Sequence, residues 1–424
     1  MKTSLVLSLL SCFTALIQAQ AMPACAAECL GTSLASSLCD PTDAACICAD
    51  VQLMTTVSGC TLTSCTIKES LSARNATATL CSEPVRDNTA VTPIVTAVSG
   101  GLAIICVILR IADRYPHWGR LQWADLCVVL ALVFAIPMGV LEFIMSSDGF
   151  GKDIWTIPFD KVTRIVQFTW LTEIFYMAVI GFTKGAILLL YLRVFPTPQF
   201  RRVIIVTLVI TAAYIMAFTL TVVFHCTPIS FGWNGWSGEF EGHCVNFNAF
   251  AWAHAIINII FDIFIIALPI PELLKLHIGR RRLIHLILMF SVGFFITIVS
   301  IVRLQSLVQF ASTTNATYDN VPTAYWSVLE AFVSIICCCL PAIRALLRRV
   351  FPNCFGSTDA HSDERTYRVS KSPMPSSIDS KKIMVGHQVT VAPAPSSGGD
   401  SDDIELVPHD GAGNAQNQRD RSGW

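Results

Sequence analysis

Charge is what this sequence lacks. Asp, Glu, Lys and Arg make up 14% of its 424 residues, where a soluble domain ordinarily carries about 25%. The deficit excludes an ordinary soluble chain and fits one with much of its length in lipid. Neither sign is in surplus, since the formal net charge is −1, so no nucleic-acid partner is expected. Reaction signatures are missing too. No catalytic triad, zinc-protease helix or phosphate-binding glycine loop is written in the chain, so it is not expected to be an enzyme. The last apolar stretch has no lysine, which excludes a retinal Schiff base there. His225, His254 and His285 are isolated on or beside three different stretches. The stacked histidine pairs of a transmembrane haem reductase are therefore absent, and no flavin or nicotinamide fingerprint follows the last stretch.

What is there is apolar: 53% of residues are hydrophobic, with a mean hydropathy of +0.58. Residues 1–21 read as a cleaved signal peptide. Lys2 starts it, Leu5 to Ile17 form the apolar core, and Ala19-Gln20-Ala21 is a small-x-small cleavage site. Eight cysteines follow directly, Cys25, Cys29, Cys39, Cys46, Cys48, Cys60, Cys65 and Cys81. So short a segment cannot bury enough core alone, and an even cysteine count in a secreted segment implies disulfides. Eight cysteines allow 105 pairings, among which the sequence does not choose.

Seven stretches are long enough to cross a bilayer, which takes about 20 apolar residues. They run approximately Val91–Ala112, Ala124–Met145, Trp170–Val194, Val203–Phe224, Trp252–Leu274, Ile284–Val308 and Tyr325–Leu347. The leader places the N-terminus outside. Arg110, Arg114, Arg120, Arg193, Arg201, Arg202, Arg280 to Arg282, Arg348 and Arg349 then fall on the cytosolic side, as the positive-inside bias requires. The sequons at Asn75 and Asn315 fall on the outer side and are expected to carry glycans. The expected organisation is a signal peptide (1–21), a stapled ectodomain (22–82), a short polar linker (83–90), a seven-helix domain (91–349) and a disordered cytoplasmic tail (350–424). The fold class is all-α, and the expected location is the plasma membrane.

The cysteine array resembles the fungal CFEM domain, with Pro23 ahead of the first cysteine and Thr42-Asp43-x2-Cys46-x-Cys48 at its centre. The remainder is similar to the fungal rhodopsin-like seven-helix family. The matching residues include Trp123 and Asp125, Lys184, Tyr191, Arg193 and Phe195, Phe224 to Pro228, Gly242 to Asn246, Asp262, Leu268 to Pro271, Arg303, Glu330, and Leu340-Pro341. The resemblance implies a receptor resembling the G-protein-coupled class. Its partners would be the lipid bilayer, an extracellular ligand and a heterotrimeric G protein in the cytosol. The alternative is a non-signalling membrane protein, whose head binds haem or a surface and whose bundle is an anchor or transporter. Asp113-Arg114-Tyr115 spells a receptor motif but follows the first span, so Arg114 is read as positive-inside charge with an Asp–Arg pair.

The resemblance also implies a metal role. In iron-handling CFEM domains the Asp before Cys-x-Cys ligates ferric haem, which assigns Asp43, with Asp40 as the alternative. Leu38, Ile47, Val51, Leu53 and Met54 would line the haem face. The competing role for Asp43 is to cap the helix running into Cys46. Cys226 and Cys244 bracket a loop holding Trp233 and Trp236. A disulfide there closes about 19 residues, worth roughly 3 kcal/mol, and makes the loop a lid or a staple. Ionisable groups inside spans point to a bundle-centre site. His254, Asn258 and Asp262 share one face of the fifth span, and Glu173 and Lys184 one face of the third. Two ion pairs are expected, Lys184–Asp262 and Arg303–Glu330, acting as a switch or as static glue.

Overall fold

The computed structural model describes residues 22–114, 122–195, 197–275, 280–310 and 313–350. The expected leader and nearly all of the expected tail lie outside the described residues. The head is built of α1 (Ala24–Leu34), α2 (Ala44–Ala49), α3 (Val51–Ser64) and α4 (Ile67–Leu80). Each later helix starts at a cap that the sequence writes. Asp43 accepts from the Cys46 N–H, and Asp50 from the N–H groups of Gln52 and Leu53. Thr66 and Glu69 form a reciprocal capping box. The buried apolar set is small, mainly Ala26, Cys29, Ile47, Leu53 and Ala73. Disulfides supply what this core cannot. Cys25–Cys65 and Cys29–Cys60 tie α1 to α3, Cys39–Cys46 closes the loop into α2, and Cys48–Cys81 ties α2 to the end of α4.

The body is a bundle of long helices. They are α5 (Val91–Arg114), α6 (Trp123–Asp148), α7 (Phe159–Val194) and α8 (Pro198–Val223). Next comes a loop with β1 (Cys226–Thr227), α9 (Phe231–Asn234) and β2 (His243–Cys244). After it run α10 (Phe247–Ala267), the short α11 (Ile270–Lys275), α12 (Arg280–Phe310), the short α13 (Ala316–Asp319) and α14 (Val321–Val350). Among the described residues, six helical stretches are long and apolar enough to cross a membrane. The 31-residue α12 adds a shorter apolar segment at Gly293–Val308.

Side-chain placement shows lipid on the outside. Along α5, Ile94, Val98, Leu102, Ile105 and Ile108 are exposed at helical spacing, while Thr96, Gly100, Ala103, Val107 and Arg110 are buried. A continuous exposed apolar stripe is a membrane-facing surface. The bundle core runs through Ala103, Val128, Ala131, Met138, Tyr176, Val179, Ala331 and Ile335. Small residues permit this packing: a Cβ at Gly100 would lie 3.1 Å from the Phe332 ring.

One feature differs from expectation. The third membrane helix starts at Phe159 rather than Trp170. Val162 and Ile165 are buried there while Asp160 and Arg164 are not. That is a helical pattern too polar to read as a span. The polar linker, residues 83–90, is docked on the loop between α6 and α7. The Asn88 N–H donates to Gly151 O at 2.9 Å, and Arg86 pairs with Asp153 at 2.5 Å. Gly151 has φ +108°, and a Cβ there would lie 2.6 Å from the Thr89 nitrogen. Only glycine fits.

Candidate functional site

The expected ion pairs both form, and they are one cluster rather than two. Lys184 of α7 pairs with Asp262 of α10. Arg303 of α12 meets Glu330 of α14 at 3.2 Å. Asn258 Nδ2 donates to Glu330 Oε1 at 2.8 Å and reaches Asp262 Oδ2 at 3.5 Å. Ser300 does the same, at 2.7 Å and 3.5 Å. Two neutral side chains therefore join the two carboxylates, and four helices meet at one hydrogen-bonded centre. Lys184, Asn258, Arg303 and Glu330 are all buried. Charges so placed are tolerable only when paired and hydrogen-bonded.

Tyr176 is the hub that sequence reasoning missed. Its hydroxyl donates to Glu330 Oε2 at 2.9 Å and accepts from Arg303 Nη1. The Arg303 guanidinium also lies over its ring, 4.5 Å from the centroid. The signal was present: Tyr176 is three residues after Glu173, on the same helical face. Glu173 itself is half-buried. His254 lies on the expected face but outside the hydrogen-bonded cluster. Its ring is fully buried against Tyr214 (5.8 Å, near-parallel), Tyr176 and Phe218. Neither ring nitrogen has a partner among the described residues.

A second centre lies at the far end from the head. Arg110 of α5 meets Asp125 of α6 at 2.7 Å, and Arg114 meets the same carboxylate at 3.1 Å. Arg114 thus reaches the next helix. Arg110 Nη1 also donates to the backbone carbonyl of Cys338 at 2.5 Å. A cavity of about 50 Å³, bordered by Lys184, Asp262, Arg110 and Cys338, lies between the two centres.

The head-side end is roofed. Cys226 and Cys244 are bonded, and β1 pairs antiparallel with β2. Trp233 packs on Trp170 of α7 at 5.3 Å between ring centroids. Trp236 Nε1 donates to Thr163 Oγ1 at 3.0 Å. The stapled loop thus sits on α7 one turn ahead of Glu173. His225 lies beside this disulfide, but bonded sulfurs are not thiolate ligands, so the three make no metal site.

In the head, Asp43 is exposed and its Oδ1 accepts from the Cys46 N–H at 3.1 Å. Of the expected haem-face residues, Ile47 and Leu53 are in the head's own core, whereas Leu38 and Val51 are exposed. Asp40 is turned to its own loop, accepting from Thr42 at 2.8 Å.

One of the two sequons is buried. Asn315 is buried, its Oδ1 accepts from the Ile154 N–H at 3.0 Å, and its Nδ2 donates to Asp153. A glycan on that nitrogen has no room. Asn75 is exposed on α4.

The fungal rhodopsin domain profile matches residues 109–349, more than half of the chain. The chain belongs to the fungal rhodopsin domain family. Its head matches the CFEM domain over residues 18–82. The chain is 28% identical over 268 residues to the polyenoic acids biosynthesis gene cluster protein Ba17b of Metarhizium anisopliae, covering 60% of this chain and 72% of that one. It is 31% identical over 216 residues to a SAT4 family membrane protein of Emericella nidulans, covering 50% and 54%. It is 25% identical over 293 residues to the receptor GIN3 of Arthrobotrys oligospora, covering 66% and 69%. No solved structure matches.

Within the fungal rhodopsin domain, both buried centres lie inside the matched span. So does Glu142 of α6, which is buried with Oε2 unpartnered among the described residues. An acid deep in the apolar run of α6 is readable from sequence as a functional candidate.

Proposed function

We propose that this protein is a plasma-membrane receptor whose CFEM head and lidded end face the outside and whose far end faces the cytosol. A cue at the head side would shift the buried cluster of Lys184, Asp262, Arg303, Glu330, Asn258, Ser300 and Tyr176. The far-end centre at Arg110 and Asp125 would then repack for a heterotrimeric G protein. The observation that carries the reading is the cluster itself. It costs desolvation and ties α7, α10, α12 and α14 at one point. Buried polar groups whose pairing has two arrangements make a switch. The 25% identity to a protein named a receptor supports the same reading.

Charge exchange tests it. Lys184→Asp leaves two facing acids and is expected to abolish guanine-nucleotide exchange in a co-expressed G protein. Adding Asp262→Lys restores the pair and is expected to restore the exchange. A double variant that is surface-expressed but silent rejects the pair as part of the switch.

Haem capture by the head is a second reading. It has the exposed Asp43 carboxylate in its favour, with Leu38 and Val51 also exposed. A hard carboxylate oxygen suits ferric iron. Hemin titrated into the full chain would give a Soret shift that Asp43→Ala removes. No shift in the parent chain ends this reading.

A further inference from the structure

Between the head and the body lies a cleft of about 830 Å³. We propose that it seats the N-linked sugar chain of Asn75, which thereby joins the head to the body. The face of α4 that borders the cleft carries Ser72, Asn75, Ala76, Thr79 and Leu80, spaced by three and four residues. The acceptor of the Asn75-Ala76-Thr77 sequon is thus part of the cleft wall. Asn75 is exposed, and among the described residues its amide nitrogen has no hydrogen-bond partner. Asn315 is the contrast, with its nitrogen spent on Asp153. Arg74 fixes the place of this turn. Two bonds to Glu83, at 2.9 and 2.7 Å, hold its guanidinium, which lies over the Trp155 ring of the body, 4.6 Å from the centroid. A sugar on Asn75 therefore begins beside Trp155. Tethering makes even a weak fit effective, because a short linker sets a local concentration of about millimolar.

The lining suits a sugar. Leu30, Leu34 and Leu80 of the head and Trp155, Pro158 and Phe159 of the body are apolar. A sugar ring has a C–H face to lay on such a surface, and the negative face of an aromatic ring attracts it. The hydroxyl and acetamide groups at its rim both donate and accept. The Ser72 hydroxyl already donates to Lys68 O at 2.9 Å, and the Thr79 hydroxyl to Asn75 O at 2.8 Å. Both keep lone pairs for the sugar's donors. Met22 also borders the cleft. Cleavage after Ala21 makes Met22 the N-terminus, and its ammonium finds acceptors among the sugar oxygens. A hydrocarbon occupant would strip that cation of water and offer it nothing. The volume is that of a site for a small organic molecule, about 300–1,000 Å³, which describes the first two N-acetylglucosamine units of an N-linked chain. The seat requires use of the Asn75 sequon and is independent of signalling by the bundle.

The test uses the full chain in lipid nanodiscs, expressed in a host that glycosylates. Peptide N-glycosidase is applied to the native and to the SDS-denatured protein. Release from Asn75 is expected to be about tenfold slower in the native protein. Trp155→Ala removes one wall of the seat, and its native release is expected to come within about twofold of the denatured rate. Hydrogen exchange, compared between the parent and Asn75→Gln, serves if the wall variant fails to fold. The sugar-bearing parent is expected to exchange about tenfold more slowly over residues 155–159. Native release as fast as denatured release overturns the proposal. So does slow release that persists in a folded Trp155→Ala, or equal exchange in the parent and Asn75→Gln. An Asn75 that carries no sugar in the parent overturns it as well.

Discussion

The Asn315 amide donates to Asp153 Oδ1 at 2.7 Å, across 162 positions of sequence. The same oxygen takes Arg86 from the linker at 2.5 Å. One buried carboxylate thus collects the linker, the α6–α7 loop and the loop ahead of α14.

This arrangement predicts the glycan pattern. Glycosidase treatment is expected to shift the electrophoretic mobility of the parent chain through Asn75 alone. Asn75→Gln should remove the shift, and Asn315→Gln should leave it. A shift that survives in Asn75→Gln and vanishes in the double variant means that Asn315 is modified and that its docking on Asp153 is wrong.

Removing the collecting carboxylate should release what it holds. Asp153→Ala leaves Arg86 and Asn315 without their acceptor, a loss of about 2–4 kcal/mol. Limited proteolysis is expected to cut residues 83–90 in this variant and to spare them in the parent. Equal resistance would show that backbone bonds such as Asn88 to Gly151 suffice.

Acid should loosen the same junction, with a defined sign. Hydrogen bonding from Arg74 holds the Glu83 carboxyl below its ordinary value of 4.5. Hydrogen bonding from Thr89 holds Asp87 below its ordinary value of 3.8. A carboxyl lowered on folding stabilises fully above its unfolded value, and that contribution fades as pH falls through the folded one. Hydrogen-exchange protection of the Asn88 amide, corrected for intrinsic rates, is expected to be flat from neutral pH to about 5. It should fall below about 4. Loss that begins between pH 6 and 7 would point to a histidine instead.

Tyr176→Phe isolates the hub. The variant keeps the ring over Arg303 but deletes the hydroxyl that bridges Arg303 and Glu330. A loss of about 1–3 kcal/mol is expected in thermal unfolding in detergent, with Tyr176→Leu losing more. Indistinguishable melting would mean that the direct Arg303–Glu330 contact carries the pairing alone.

Much of this was legible before the structure. Lys184, Asp262, Arg303 and Glu330 announce themselves because a charge in an apolar run has few places to go. Their fusion into one cluster was not legible. It depends on Asn258 and Ser300, neutral residues whose reach is set by how α10, α12 and α14 lean together. Tyr176 hid for a related reason, since an aromatic residue in a membrane helix reads as packing until its hydroxyl is located. The docked linker turned on Gly151, whose φ of +108° no periodicity reports. The buried Asn315 shows the limit of motif reading: Asn-Ala-Thr names a possible acceptor, and only the fold says whether its nitrogen is already in use.

Arg110 grips the carbonyl of residue 338 and not a side chain. An acceptor that belongs to the backbone cannot be removed by changing the residue that carries it. In a library of random variants, the far-end centre would therefore register loss of function at Arg110 and Asp125. Position 338 itself should tolerate exchange among side chains of similar size, even though its oxygen holds α14 to α5. The genetic footprint of this contact is one-sided, and a map of sensitive positions would show one of its two partners as a blank.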